Sequence, residues 1–141
     1  MKIDYNKKNF TEEEKIILLN ESNILKESYP TRIPILVQLN SNILKIDKNK
    51  FLVQNEITLG HYLDILKKKL LDTNSNDTLI ISVVKFNGNS RNLTKINSQS
   101  KLLKDFFAEY KDESTGMLIL SISRQTNYKY IKGTLNYFLG Y

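Results

Sequence analysis

Hydrophobic and polar positions along this chain switch repeatedly between a helical period and a strand period. Residues 1–9 are mostly polar and predict a mobile lead-in. Thr11-Glu12-Glu13-Glu14 has capping-box spacing: the Thr11 hydroxyl can accept from the Glu14 amide, and the Glu14 carboxylate can reach back. The three acids also suit the positive end of a helix dipole. A helix is predicted through Ile16, Ile17, Leu18 and Leu19. A second, short one carries Ile24 and Leu25 and stops before Pro30, because a proline disfavours helix in the residue before it.

From Ile33 the period changes. Ile33 to Leu39 is β-branched and apolar, and Pro34 sits near the start, where a missing amide is tolerated. Phe51-Leu52-Val53 predicts a short second strand. Thr58 is placed as an N-cap for a helix to Leu71, with Leu59, Tyr62, Leu63, Leu66 and Leu70 on one face. Leu79 to Val84 is continuously apolar, as expected at the buried centre of a sheet. Asn87-Gly88-Asn89-Ser90 predicts a turn. Leu102, Leu103, Phe106, Phe107 and Tyr110 share a helical face, and Met117 to Ile122 is the last strand. The order is helices followed by ββαβαβ, an α+β pattern.

Composition narrows the function. A chain of 141 residues, 40% hydrophobic and 26% charged, fits one globular domain with a single core. It has no cysteine, which removes thiol nucleophiles, disulfides and cysteine zinc sites. His61 is the single histidine, and carboxylates such as Asp64 and Glu109 have no nucleophile or metal partner in view, so the chain is not expected to be an enzyme or to hold a metal or cofactor. No apolar run reaches the roughly 20 residues that a membrane span needs. The N-terminus lacks the apolar core of a signal peptide, which with the cysteine count points to the cytoplasm. The net charge of +6 favours acidic partners. A nucleic acid is not expected among them, because no RNP-like aromatics, helix-turn-helix pattern or zinc knuckle is present. Lys67-Lys68-Lys69 is either a solvated helix face or an attraction for anionic membrane.

Three blocks make the pattern specific. They are Tyr29-Pro30-Thr31-Arg32-Ile33-Pro34, then Lys50-Phe51-Leu52-Val53, then Lys111-Asp112-Glu113 followed by Gly116. In this order they resemble the Atg8/LC3/GABARAP family of ubiquitin-like autophagy modifiers, over roughly Glu21 to Ser123. The resemblance implies a ubiquitin-like β-grasp with an N-terminal helical extension. It divides the chain into that extension (1–28), the ubiquitin-like domain (29–123) and a C-terminal tail (124–141).

The resemblance also implies partners. Family members bind receptor and adaptor peptides carrying an aromatic-x-x-Leu/Ile/Val motif, which adds a strand beside the second strand. The aromatic pocket maps onto Glu21, Leu25, Pro34, Leu36, Lys50, Leu52 and Met117. The aliphatic pocket maps onto Phe51, Val53, Gln54, Ile57, Tyr62 and Ile65. Strand alternation supports the split independently, since Phe51 and Val53 face one way and Leu52 the other. Ile65 lies off the core stripe of its helix and has no evident core duty. Two departures are notable: Gln54 stands where the family often has proline, and Met117 where it often has phenylalanine.

The tail is longer than the resemblance leads one to expect. A modifier of this kind is cut by a cysteine protease and then joined through glycine, by activating and carrier enzymes, to phosphatidylethanolamine of the autophagosomal membrane. Gly140, followed by Tyr141, is the favoured glycine over Gly133. The alternative is a non-conjugated adaptor that keeps only the peptide groove.

Overall fold

The computed structural model describes residues 2–40, 44–71, 78–96 and 98–124. Its first helix, α1 (Glu12–Ser28), begins as the sequence predicts. The Thr11 hydroxyl accepts from the Glu14 amide at 3.1 Å, and the Glu14 carboxylate accepts from the Thr11 amide at 2.8 Å. The two predicted N-terminal helices are one continuous helix of 17 residues. The polar stretch around Asn20 to Asn23 does not break it: Ser22 is buried and Asn20 and Asn23 face solvent, so one amphipathic helix runs through.

Beyond α1 the order is β1 (Arg32–Leu39), β2 (Lys45–Ile46), β3 (Lys50–Gln54), α2 (Leu59–Lys69), β4 (Leu70–Leu71), β5 (Leu79–Asn87), β6 (Ser90–Lys95), α3 (Leu103–Tyr110) and β7 (Leu118–Arg124). Five strands form one sheet in the order β3-β1-β7-β5-β6, and β2 pairs with β4. β1 and β7 run parallel at the centre; the other pairs are antiparallel. The parallel ladder starts at Ile35↔Leu118, so Pro34 lies one residue before the point where β7 begins to pair.

Sequence reasoning missed β6, β2 and β4. β6 is polar and exposed, so it lacks the hydrophobic signal of a strand; it pairs because the Asn87–Ser90 turn folds it onto β5. β5 is an interior strand, paired on both sides, but Leu79 to Ser82 are only half-buried. The more deeply buried strands are β7, in the middle of the sheet, and its neighbour β1, whose residues from Leu118 to Ile122 and from Ile33 to Leu39 are buried.

Because β1 and β7 are apolar on both faces, the sheet carries two cores. On one face Ile33, Ile35, Val37, Leu118 and Leu120 pack with Leu59, Leu63 and Leu66 of α2 and Leu103 and Phe106 of α3. On the other, Leu36, Met117 and Ile119 pack with Leu18 of α1 and with Phe10 and Ile3. The residues before α1 are therefore not a free lead-in, as Ile3 is buried and Tyr5 packs against this second core.

α1 lies close to the turn before β7. Gly116 has a φ of 69°, and a Cβ there would stand 2.2 Å from the Ser22 hydroxyl. Both the left-handed backbone and the close approach require glycine. Asp112 is buried and fastens the same turn: it accepts from the Thr115 amide (3.0 Å) and hydroxyl (2.8 Å), the Ser114 hydroxyl (2.7 Å) and the Phe86 amide (2.9 Å). Gly116→Ala is expected to destabilise the protein by roughly 2 kcal/mol or more, from strain and overpacking together. Urea denaturation of the two proteins measures it, and an equal midpoint would show that the turn yields freely.

Candidate functional site

β3 is an edge strand, and among the described residues no strand pairs with its outer side. Its inner side is fixed on β1, with Leu36 opposite Lys50, Pro34 opposite Leu52, Ile35 opposite Phe51 and Ile33 opposite Val53. The register sends Lys50 and Leu52 to the α1 side of the sheet, and Phe51 and Val53 to the α2 side. An unpaired edge thus runs between two apolar regions, one on each face.

On the α1 side, Leu36 and Met117 share one apolar cluster, buried Pro34 lies opposite half-buried Leu52, and half-buried Lys50 lies opposite Leu36. Of the other residues expected in the aromatic pocket, Glu21 joins them through Lys50, and Leu25 is half-buried one turn further along α1. Lys50 Nζ donates to both carboxylate oxygens of Glu21, at 2.9 and 3.1 Å, and so ties β3 to α1. Burial pushes the Lys50 ammonium down, but the hydrogen bonds to Glu21 and Tyr5 outweigh it, and its pKa is raised. It stays charged throughout the physiological range.

On the α2 side, Phe51, Val53 and Ile57 pack half-buried against the core, and the Phe51 and Tyr62 rings meet edge-on at 6.4 Å. Ile65 of α2 is 37% exposed, so this apolar side chain stands at the surface, off the core stripe of its helix. Tyr62 is buried, its hydroxyl finds no hydrogen-bond partner among the described residues, and burial pushes its pKa well up. It supplies the floor of this half. Gln54 departs from the expected set: strand alternation places it with Lys50 and Leu52, and it is exposed at the end of β3.

α2 is aimed by its N-terminus. The Thr58 side chain accepts from the His61 amide at 3.1 Å, and the Leu59 and Gly60 amides donate to the Lys101 and Gln99 carbonyls, each at 2.9 Å. The Leu103 and Lys104 amides donate in turn to the Ile57 and Asn55 carbonyls. Each helix start is thus satisfied by the loop that leads into the other, which fixes Ile57 and Tyr62 relative to β3. Lys67, Lys68 and Lys69 are exposed in the last turn of α2, where cations suit the helix dipole.

Sequence reasoning missed the segment before α1, which lies against the aromatic half. The Tyr5 ring has Lys50 Nζ 5.1 Å from its centroid. Gln38, buried in β1, donates from Nε2 to the carbonyls of Tyr5 and Lys7, both at 2.9 Å. Asn6 Oδ1 accepts from the Leu39 amide (3.0 Å) and from Asn49 (2.8 Å). The available signal was the alternation of Ile3 and Tyr5 in a polar run. Gly140 and Gly133 lie outside the described residues. Among the described residues no helix is long and apolar enough to cross a membrane, and no group of three or more metal-ligating side chains forms.

Residues 18–128 match the family model described as "Autophagy protein Atg8 ubiquitin like". The chain belongs to the Atg8 family. Autophagy-related protein 8h of Arabidopsis thaliana is 39% identical over 54 residues, 37% of this chain and 45% of that protein, so the matched stretch spans less than half of the relative. Autophagy-related protein 8D of Oryza sativa is 30% identical over 124 residues, 86% of this chain and 94% of that one. The fold is similar to a crystal structure of Trypanosoma brucei ATG8, with a TM-score of 0.60 and 24% identity, over 90% of this chain and 99% of that one. The expected ubiquitin-like fold with an N-terminal helix is therefore the observed one, and the chain is an Atg8-like, ubiquitin-like autophagy protein.

Lys7 connects the segment before α1 to the capping box through an ion pair with Glu14. That hydrogen bond, followed by the one from the Thr11 amide, holds the Glu14 pKa below its usual value. A carboxylate with a depressed folded-state pKa contributes stability above its unfolded value and loses it as pH falls through the folded one. The stability difference between wild type and Glu14→Gln is expected to be largest above about pH 5 and to close as the solution becomes more acid. Melting temperatures across pH 2.5–7 check this; a constant difference would refute it.

Proposed function

We propose that this Atg8-family chain is a modifier that recruits motif-bearing receptor and adaptor proteins, not an enzyme. The single observation that carries the reading is the unpaired edge of β3 lying between an apolar region on each face of the sheet. A peptide in extended form can satisfy its backbone amides and carbonyls on that edge. Its alternate side chains then fall on opposite faces, so an aromatic residue enters beside Leu36, Leu52, Lys50 and Met117. The aliphatic residue three positions on meets Phe51, Val53, Ile57, Tyr62 and Ile65. The Lys50 ammonium adds attraction for acidic residues flanking the motif.

We also propose conjugation. A cysteine protease removes Tyr141, and activating and carrier enzymes join the Gly140 carboxylate to the amine of phosphatidylethanolamine. The protein then moves from the cytoplasm to the autophagosomal membrane. Family membership supports this step.

Two measurements test these readings. A Trp-x-x-Leu peptide is expected to bind with micromolar affinity, about 8 kcal/mol. Leu52→Ala combined with Ile65→Ala removes one contact from each half and is expected to weaken binding at least tenfold, since each apolar contact contributes on the order of 1.5 kcal/mol or more. An unchanged titration with the folded double variant removes β3 as the site. For conjugation, Gly140→Ala is expected to abolish recovery of the protein in membrane fractions from cells that carry the conjugating enzymes. If Gly133→Ala abolishes it instead, Gly133 is the conjugated residue; if neither does, the non-conjugated adaptor replaces this reading.

A further inference from the structure

The residues before α1 occupy the approach to the aromatic half of the groove. Ile3 is buried in the same apolar cluster as Leu36 and Met117. Tyr5 packs against that cluster and sits beneath the Lys50 ammonium. An aromatic ring of the chain itself therefore engages the lysine that a motif's aromatic residue needs.

The attachment is made by side chains. Gln38 holds the segment at two points, the Tyr5 and Lys7 carbonyls. Its amide orientation is set from the other end, because Arg91 donates to Gln38 Oε1 at 3.2 Å and a guanidinium can only donate. Asn6 bridges to Leu39 and Asn49, and Lys7 pairs with Glu14.

The same contacts are of a kind that releases. No β ladder includes residues 2–10, and Lys2, Asp4, Asn6, Lys8 and Asn9 are exposed. Lys2–Asn6 and Asp47–Lys50 together line an open, solvent-facing cleft of about 1010 Å³, bridged by the Asn6–Asn49 hydrogen bond and the Tyr5–Lys50 contact. A segment anchored by side chains at separate points, with no backbone ladder along it, opens more readily than the strands beside it.

We propose that residues 2–10 are an autoinhibitory strap, with Ile3 and Tyr5 covering the aromatic half of the β3 groove until an incoming peptide displaces them. The inference rests on the peptide-groove reading above. Binding is then weakened by the fraction of molecules with the strap open, tenfold if that fraction is about one in ten. The aliphatic half stays open, so a peptide docks there first and completes the strand as the strap leaves.

The test uses the full chain and a synthetic peptide carrying Trp-x-x-Leu. Tyr5→Ala removes the ring over Lys50 at a half-buried site and leaves Ile3 and Phe10 in the core. Because the sequence has no cysteine, Asn6→Cys with Asn49→Cys creates a unique pair, whose native side chains lie 2.8 Å apart. A short bis-maleimide then locks the strap. Tyr5→Ala is expected to bind about fivefold tighter than wild type. The locked protein is expected to bind at least tenfold weaker than the same protein before cross-linking. Hydrogen exchange of residues 2–10 should speed up when the peptide is added to wild type. Equal affinities for wild type, Tyr5→Ala and the locked protein overturn the strap and leave the groove standing. Absence of binding by every one of them, each shown folded by circular dichroism, overturns the groove itself.

Discussion

The burial of β1 and β7 on both faces is the constraint from which the rest of this structure follows. A strand that is apolar on both faces cannot tolerate water on either. α2 and α3 cover one side, and α1 with the residues before it covers the other. Once both faces are closed, backbone hydrogen-bonding capacity remains only at the sheet's edges. The position of the open edge on β3 is thus a consequence of the core rather than an addition to it.

The approach of α1 to the sheet shows how local chemistry serves that constraint. The helix can sit low only because Ser22 is small and Gly116 has no side chain. Asp112 gathers the donors of the neighbouring turn, so the left-handed residue is held rather than merely permitted. The Lys50–Glu21 pair then joins the lowered helix to the edge strand.

Much of this was legible in the sequence, and the omissions share a cause. The caps at Thr11 and Thr58 were readable because side chain and backbone satisfy each other locally. The core strands were readable because their periodicity is strong. The two halves of the groove could be assigned to faces from strand parity, except at Gln54, where the strand ends. β6 was invisible because its pairing depends on the strand beside it and not on its own composition. The docking of Ile3, Tyr5 and Asn6 was invisible for a similar reason. Its partners, Gln38, Asn49 and Lys50, are more than thirty residues away, and no short-range pattern encodes them.

The two edges of the sheet are built from different materials. β6 presents Ser90, Arg91, Asn92, Thr94 and Lys95 around an exposed Leu93, so a second chain approaching it meets mainly cations and strongly hydrated groups. β3 is apolar at its middle, which favours strand addition, and short, which limits it. A sheet with two receptive edges can propagate into a filament by joining unlike ends of successive copies. Here the two ends are unlike, which disfavours head-to-tail growth, so copies of this chain can crowd together without their sheets fusing.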